Sequence, residues 1–274
     1  MSIRTDLIIE ENVAEEKDIK TKVTVLDGIK IESAEIGSDD AAKRVNKPKG
    51  KYLTVRFDRL DGITDTAPLK RALVNAIGEL AGDKNDNALI VGLGNADITP
   101  DALGPLCVNS VLATRHISGE LKKLLELEGL HTVSCMAPGV LGKTGIEAAD
   151  IIKATVKQIK PSIVLAVDAL AAKSADNLCR TVQMTDSGIA PGSGVKNERT
   201  ALCEKSLGVP TIAIGVPTVI DADRLIKNSV ADEKMMVTPK EIDLLIARAA
   251  AIIARAVNMF FQPSLDEETI ESLS

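Results

Sequence analysis

Five consecutive apolar residues, Ile163-Val164-Leu165-Ala166-Val167, run straight into an aspartate, Asp168. A run this short has no polar alternate face, so it suits a strand covered on both sides. Strands of that kind belong to sheets layered between helices. The rest of the chain keeps the pattern: apolar runs at about 51–57 (KYLTVRF), 88–93 (ALIVGL), 131–136 (HTVSCM), 162–168 (SIVLAVD) and 211–216 (TIAIGV) read as strands. Between and after them, apolar residues return at helical spacing: Leu69, Leu73, Ile77 and Leu80; Val108 and Leu112; Ile151, Ala154, Val156 and Ile159; Ile242, Leu245, Ile246, Ala249, Ile252 and Ile253. The expected fold is α/β, a mostly parallel central sheet flanked by helices, in a single domain over residues 1–274.

Three segments stand apart. Residues 1–50, rich in charge and glycine with an alternating stretch at 22–31, read as an irregular or β-rich N-terminal arm. Residues 177–200 read as a long polar insertion, and loops of that length in compact domains are more often functional than idle. The tail 262–274 is expected to be flexible and solvated. Two local signals mark helix starts: Gly104-Pro105, and Thr144 with Glu147 as a capping box opening a helix to about Lys160.

Composition narrows the function. The 274 residues are 45% hydrophobic, ample for a core, yet contain no Trp, one Tyr and three Phe, too few for base- or sugar-stacking platforms. The formal net charge of −6 and the lack of a basic stripe argue against direct nucleic-acid binding. No run reads as a signal peptide or membrane span, which points to a cytoplasmic protein. Cys107, Cys135, Cys179 and Cys203 are far apart without metal-site spacing and read as small core residues.

Two stretches carry glycines where phosphate chemistry would need them. "APGVLGKT", residues 137–144, matches a relaxed P-loop after a strand and before a helix, with Lys143 to reach outer phosphates and Asp168 where a magnesium-holding carboxylate would sit. A turn plus the Thr144 cap explains the same residues. "VGLGNADITPDALGP", residues 91–105, has Asp97 where a dinucleotide loop needs its third glycine, and is set aside as a phosphate cradle. Its interest lies in Asp101. Asp101 and Asp168 both fall just beyond the carboxyl ends of predicted parallel strands, the edge at which open α/β sheets bind ligands. Burial behind five apolar residues would raise the Asp168 pKa, while the helix dipole near Pro105 would favour the Asp101 anion. Two carboxyl groups in opposed environments are the ingredients of acid–base hydrolysis. A metal site is the rival reading, but His116 is placed at a helix end and His131 at the opposite sheet edge. Neither Ser187 nor Ser193 lies in a nucleophile elbow.

Nine stretches then occur in order: "RTDL" (4–7), "GKYLTVRFD" (50–58), "VGLGNADITPDALGP" (91–105), "ATRHI" (113–117), "PGVLGKTGIEAADI" (138–151), "VLAVDALAAKS" (164–174), "TDSGIAPGSGV" (185–195), "IGVPTVIDA" (214–222) and "MMVTPKEID" (235–243). Together they resemble the germination proteases of spore-forming bacteria along nearly the whole chain. The resemblance implies an endopeptidase that begins degradation of small acid-soluble spore proteins at germination. It also implies a homotetramer in the forespore or spore core, made as a zymogen, with a fold similar to the hydrogenase maturation proteases and Asp101 and Asp168 as the aspartic-type catalytic pair. Asn95 and the 185–195 loop, with Asp186, Ser187 and Gly188, are expected to shape the substrate groove, without cofactor or metal. Three departures stand out. No histidine follows Asp168, against the metal-binding pattern of the maturation proteases; "RTDL" lies three residues in, implying little propeptide; and Asp97 and Lys143 stand where uncharged residues are expected. A metal-dependent peptidase at the same site and a P-loop NTPase using 137–144 and Asp168 are the alternatives.

Overall fold

The computed structural model describes residues 6–11, 16, 18–124, 127, 129–190, 201–222 and 235–273. Its strands are β1 (Ile19–Leu26), β2 (Ile29–Ile36), β3 (Gly50–Arg56), β4 (Asn87–Gly92), β5 (Thr132–Met136), β6 (Ile163–Ala172), β7 (Thr181–Thr185), β8 (Thr211–Asp221) and β9 (Met236–Val237). The helices are α1 (Asp39–Val45), α2 (Ala67–Ala81), α3 (Leu103–Asn109), α4 (Gly119–Leu124), α5 (Leu141–Thr144), α6 (Ala148–Ile159), α7 (Glu204–Leu207), α8 (Ile242–Phe261) and α9 (Glu267–Leu273). All five expected strands are present within a few residues of their expected bounds.

The strands form one sheet in the order β1-β2-β3-β7-β8-β6-β4-β5, with β9 added to β8. This corrects the expectation of a mostly parallel sheet. Strands β8, β6, β4 and β5 are parallel, but β1, β2, β3 and β7 continue the sheet antiparallel from β8, and the sheet is mixed. The arm at 19–36 is the β1–β2 hairpin, turned by Asp27 and Gly28 in left-handed conformation.

Strand β7 lies inside the segment expected to be a polar insertion. It is buried at every position despite the sequence Thr-Val-Gln-Met-Thr. Val182 and Met184 face the main core, and the polar side chains of the other face find partners: Gln183 donates to the Asp6 carbonyl at 2.8 Å and accepts from the Ile8 amide at 2.5 Å, and Thr185 bonds the Ser187 amide and hydroxyl. Polarity disguised the strand because its partners come from about 175 residues away.

One face of the sheet carries Ile90, Leu165, Val167, Ile212 and Ile214 against α2, α3 and α8. The other carries Leu89, Val91, Val164 and Ala166 against α6 and α7. Helix α8 is, by length and composition alone, apolar enough for a membrane span, though Asp243, Arg248 and Arg255 interrupt it and most of it is buried. Its buried face packs on α2, α3 and the sheet, and Arg248 turns inward to donate to the Leu60 and Ile63 carbonyls. The tail is not wholly solvated: α9 seats Ile270, 1% exposed, while Glu267 and Glu271 pair with Lys70 and Arg255. The capping box at Thr144 is not formed. Gly145, left-handed, ends α5 after one turn, α6 starts separately behind Glu147, and the Thr144 hydroxyl serves the local turn at Ile146. Cys107 and Cys179 are buried, as expected, while Cys135 and Cys203 are half-buried.

The loop after β4 packs on the sheet backbone to backbone. A Cβ at Gly104 would collide with main-chain atoms of Leu93 and Val167. Gly104→Ala is therefore expected to lower unfolding stability by at least ~2 kcal/mol in urea titrations. Gly142→Ala, in open space within a helical turn, should leave stability unchanged or raise it by up to ~1 kcal/mol.

Candidate active site

Asp168 is the sixth residue of β6. Alternation along the strand puts Val164, Ala166 and Asp168 on the α6 face and Ile163, Leu165 and Val167 on the opposite face. Its residue is 7% exposed, opposite Gly215 of β8. One carboxylate oxygen, Oδ1, accepts from the Ala169 amide at 2.9 Å. Gly215 matters here because a side chain there would strike Leu170, the next residue of β6 on the same face.

Asp101 comes from the loop after β4. Leu93 N donates to Val167 O at 2.8 Å, so the chain leaves β4 still held to β6 one residue before Asp168. Gly94, at φ +110°, then turns the chain beneath the 99–101 turn, where any side chain would hit the Asp101 carbonyl. The turn returns Asp101 to the loop's own start: its Oδ2 accepts from the Asn95 amide at 2.7 Å, and its amide donates to Ile98 O at 2.8 Å.

Sequence reasoning passed over a residue that holds this turn. The β6–β8 register slips between Leu170 and Ala171, leaving Thr218 of β8 unpaired as a bulge after Pro217. Bulges re-aim side chains. Thr218, fully buried, directs Oγ1 to the Pro100 carbonyl at 2.7 Å, and its own carbonyl accepts from Thr238. A proline in a buried strand was the available signal, since proline inside a sheet favours edges and bulges.

The two carboxyl groups differ electrostatically. Burial pushes Asp168 up to about 8, with the nearby Asp101 charge adding to the rise and the Ala169 amide opposing it. Asp101 is raised too, by burial, with the Asn95 amide favouring its anion. The expectation of a dipole-dominated Asp101 thus gives way to burial, because Asp101 sits in a short 3-10 turn ahead of α3. At neutral pH the pair holds a proton, principally on Asp168.

The other expected residues fall as follows. Asn95 stands in the loop, its amide on Asp101 and its side-chain oxygen accepting from the Asp97 amide. Asp97 and Lys143 form an exposed ion pair, tying the glycine loop to the α5 turn. That pairing occupies the lysine of the P-loop-like octapeptide, and the helix behind it lasts one turn. Asp186, Ser187 and Gly188 follow β7, which runs antiparallel to β8 and so carries them back towards the amino end of β8. There Asp186 bonds the Lys51 amide, Ser187 bonds Tyr52 and Thr185, and Gly188, at φ +83°, packs against Leu202. The structure does not bring these three to the Asp101 turn. Residues 191–195 of the expected groove loop lie outside the described residues. His131 is at the far sheet edge, its Nδ1 on Asn85 O at 2.9 Å, while His116 is exposed in a turn after α3 rather than at its end. Among the described residues no three His, Cys, Asp or Glu side chains are grouped to hold a metal.

A model of the germination protease family matches residues 1–232, most of the chain. The chain belongs to the germination protease family. It is a peptidase of spore germination by that membership. The germination protease of Caldanaerobacter subterraneus subsp. tengcongensis is 37% identical, across 100% of this chain and 98% of its own. That of Clostridium tetani is 36% identical across 99% of each. That of Bacillus subtilis is 41% identical over 83% of this chain and 66% of its own. A solved NiFe hydrogenase maturation protease, HycI of Thermococcus kodakarensis, superimposes with a TM-score of 0.40 at 18% identity, over 66% of this chain and 98% of that one.

A carboxyl group whose pKa rises on folding makes the native state weaker as pH rises. Between about pH 4, where an unfolded aspartate ionises, and about 8, the folded chain keeps a proton at Asp168 that the unfolded chain has lost. Stability should fall across that window. Asp168→Asn, which cannot ionise, should therefore gain roughly 1–3 kcal/mol over the parent at pH 8, a rise of several degrees in Tm, and little at pH 4. Calorimetry at the two pH values checks it; an equal difference at both would refute the burial argument.

Proposed function

We propose that the chain is an aspartic-type endopeptidase that opens the degradation of small acid-soluble spore proteins, using Asp101 and Asp168 together on one water and one peptide bond. The observation that carries the reading is the unequal pair: two carboxyl groups at the carboxyl edge of the parallel strands, near enough for the charge of one to raise the other, with the more buried one holding a proton at neutral pH. Membership of the germination protease family supports the substrate class.

In this reading the Asp101 carboxylate, held by the Asn95 amide, takes a proton from water as the oxygen attacks the scissile carbonyl carbon. Asp168, entering as the neutral acid, hydrogen-bonds the carbonyl oxygen and stabilises the charge that develops there. Collapse of the tetrahedral intermediate breaks the C–N bond, and the amine leaves with a proton from the pair. The low-dielectric floor of Val164, Ala166 and Leu170 strengthens each of these interactions. Asn95 shapes the groove at the water side, while Asp186, Ser187 and Gly188 would meet only an extended substrate that crosses β8. A homotetramer in the forespore, made as a zymogen, completes the reading carried by the family.

The test is cleavage of a purified small acid-soluble spore protein by the parent, Asp101→Asn and Asp168→Asn. Each substitution should lower kcat/KM by about 10²-fold or more. Rate against pH should be bell-shaped, falling on the alkaline side as the pair loses its last proton near 8. Activity should survive a chelator. Loss on chelation with recovery on adding a divalent ion would transfer the reading to a metal-dependent peptidase.

A further inference from the structure

The segment 137–147, which the catalytic pair leaves unused, stands at the same edge of the sheet. Strands β4 and β5 are parallel neighbours, so the loops that follow them lie side by side at the carboxyl edge. There they part. The β4 loop leads into α3, whose Leu103 and Cys107 pack on one face of the sheet, while the β5 loop leads into α6, whose Ala149 and Ile152 pack on the other. A crevice opens where neighbouring parallel strands send their chains to opposite faces, and open α/β sheets bind ligands at such points. Asp101 stands on the β4 lip of this crevice, and Asp168 on β6, the next strand from β4.

Each lip carries a large apolar residue that the fold leaves out of its core. Ile98, in the turn that returns Asp101, and Ile146, two residues before α6, are both 52% exposed. One exposed isoleucine is ordinary, but two on adjoining lips beside a pair of buried carboxyl groups are a patch with a use. Local bonds hold both. Ile98 N donates to Asn95 O at 3.1 Å, and Ile98 O accepts from the Asp101 amide at 2.8 Å. Thr144 Oγ1 accepts from Ile146 N at 3.2 Å and donates to Ile146 O at 2.9 Å, across the left-handed Gly145. The lips are also tied to each other. Lys143 pairs with Asp97, whose amide donates to Asn95 Oδ1 at 3.1 Å, and the Asn95 amide holds Asp101. The lysine and threonine of the P-loop-like octapeptide thereby set the spacing of the lips and the stance of Ile146.

We propose that Ile98 and Ile146 form a specificity subsite that takes one apolar side chain, aliphatic or aromatic, of the peptide substrate, with the Asp97–Lys143 pair holding the two lips at a fixed spacing. This deepens the peptidase reading and rests on it. The occupant follows from continuity with the catalytic pair, since the Ile98 carbonyl is bonded to the Asp101 amide itself. Half-buried Met136, the last residue of β5, adds apolar surface at the base of the β5 lip. Neighbouring strands lie about 4.8 Å apart, which puts the β4–β5 crevice roughly 7 Å from β6, and an extended peptide covers that in about two residues. The side chain received is therefore one within about two residues of the scissile bond.

The cut in a purified small acid-soluble spore protein is first located by mass spectrometry, and each apolar residue within about three of it is changed to serine in turn. Parent and Ile146→Ser proteins are then compared on every substrate. Ile146 is exposed, so the substitution should leave thermal unfolding unchanged. One serine substrate should lose about tenfold in kcat/KM with the parent, through KM, and less than about threefold with Ile146→Ser. Ile98→Ser should couple to the same substrate position. Lys143→Glu, which sets like charges against each other, should raise KM for the unaltered substrate about two- to fivefold, and Asp97→Lys in the same chain should restore it. Losses that multiply independently at every position, or a cut with no apolar residue in that range, overturn the proposal. So does loss of self-association in Ile146→Ser with KM unchanged, which would give the patch to a second copy of the chain. Read as Kd on an Asp101→Asn background, the same cycle needs no turnover. Full activity of Asp101→Asn and Asp168→Asn would end the carboxyl mechanism while the cycle still decides the subsite.

Discussion

Everything at the site depends on a backbone-to-backbone contact that side chains would prevent. Gly92, Gly94 and Gly104 each face a main-chain carbonyl: those of Gly104, Asp101 and, for Gly104, both Leu93 and Val167. With hydrogen in place of Cβ, the loop after β4 lies directly on β6, and α3 starts from that contact. The entropy cost of glycine, about 0.5–1 kcal/mol per position relative to alanine, is offset by the packing it permits. The contact determines where Asp101 stands relative to Asp168, which neither residue's local geometry could do. Thr218 and its bulge add a strut from β8, reaching the carbonyl just before Asp101.

Asp168 is the opposite kind of feature, a group the fold would be more stable without. An aspartate buried within a largely apolar strand, near another carboxyl group, is costly to ionise, and it responds by keeping its proton at neutral pH. Such a residue is tolerated where its chemistry is used, and stability is drawn from elsewhere, here from two helical layers and a long central strand. The N-terminal segment belongs to the same account. It supplies hydrogen bonds to the buried polar strand β7 and to the stretch of β6 that runs on past β4, so residues far apart in sequence satisfy one another.

Much of this was legible beforehand because it is local. Apolar runs of strand length, helical periodicity and the position of Asp101 and Asp168 after predicted strands are properties of short windows. The illegible parts are those whose partners are distant. Strand β7 looked like a loop because Thr181, Gln183 and Thr185 are polar, and only Asp6 and Ile8 make burial of Gln183 acceptable. The place of the β1–β3 arm in the same sheet went unseen with it, since β7 joins that arm to β8. Asp97 and Lys143, unexplained separately, become a simple surface ion pair once the two loops meet. The tail looked solvated because Leu265, Ile270 and Leu273 are scattered among charges, too few to show a periodicity.

The amino-acid sequence by itself determined the α/β class, the parallel core of β4, β5, β6 and β8, and the two aspartates at its carboxyl edge, because strand and helix patterning and the glycine turn act over a few residues. The tertiary structure decided the mixed order of the sheet and the distribution of the proton between the two carboxyl groups. A pKa depends on the water and charge around the group, and at Asp168 those are set by burial in the sheet, Asp101 from another loop and Asp6 from the other end of the chain.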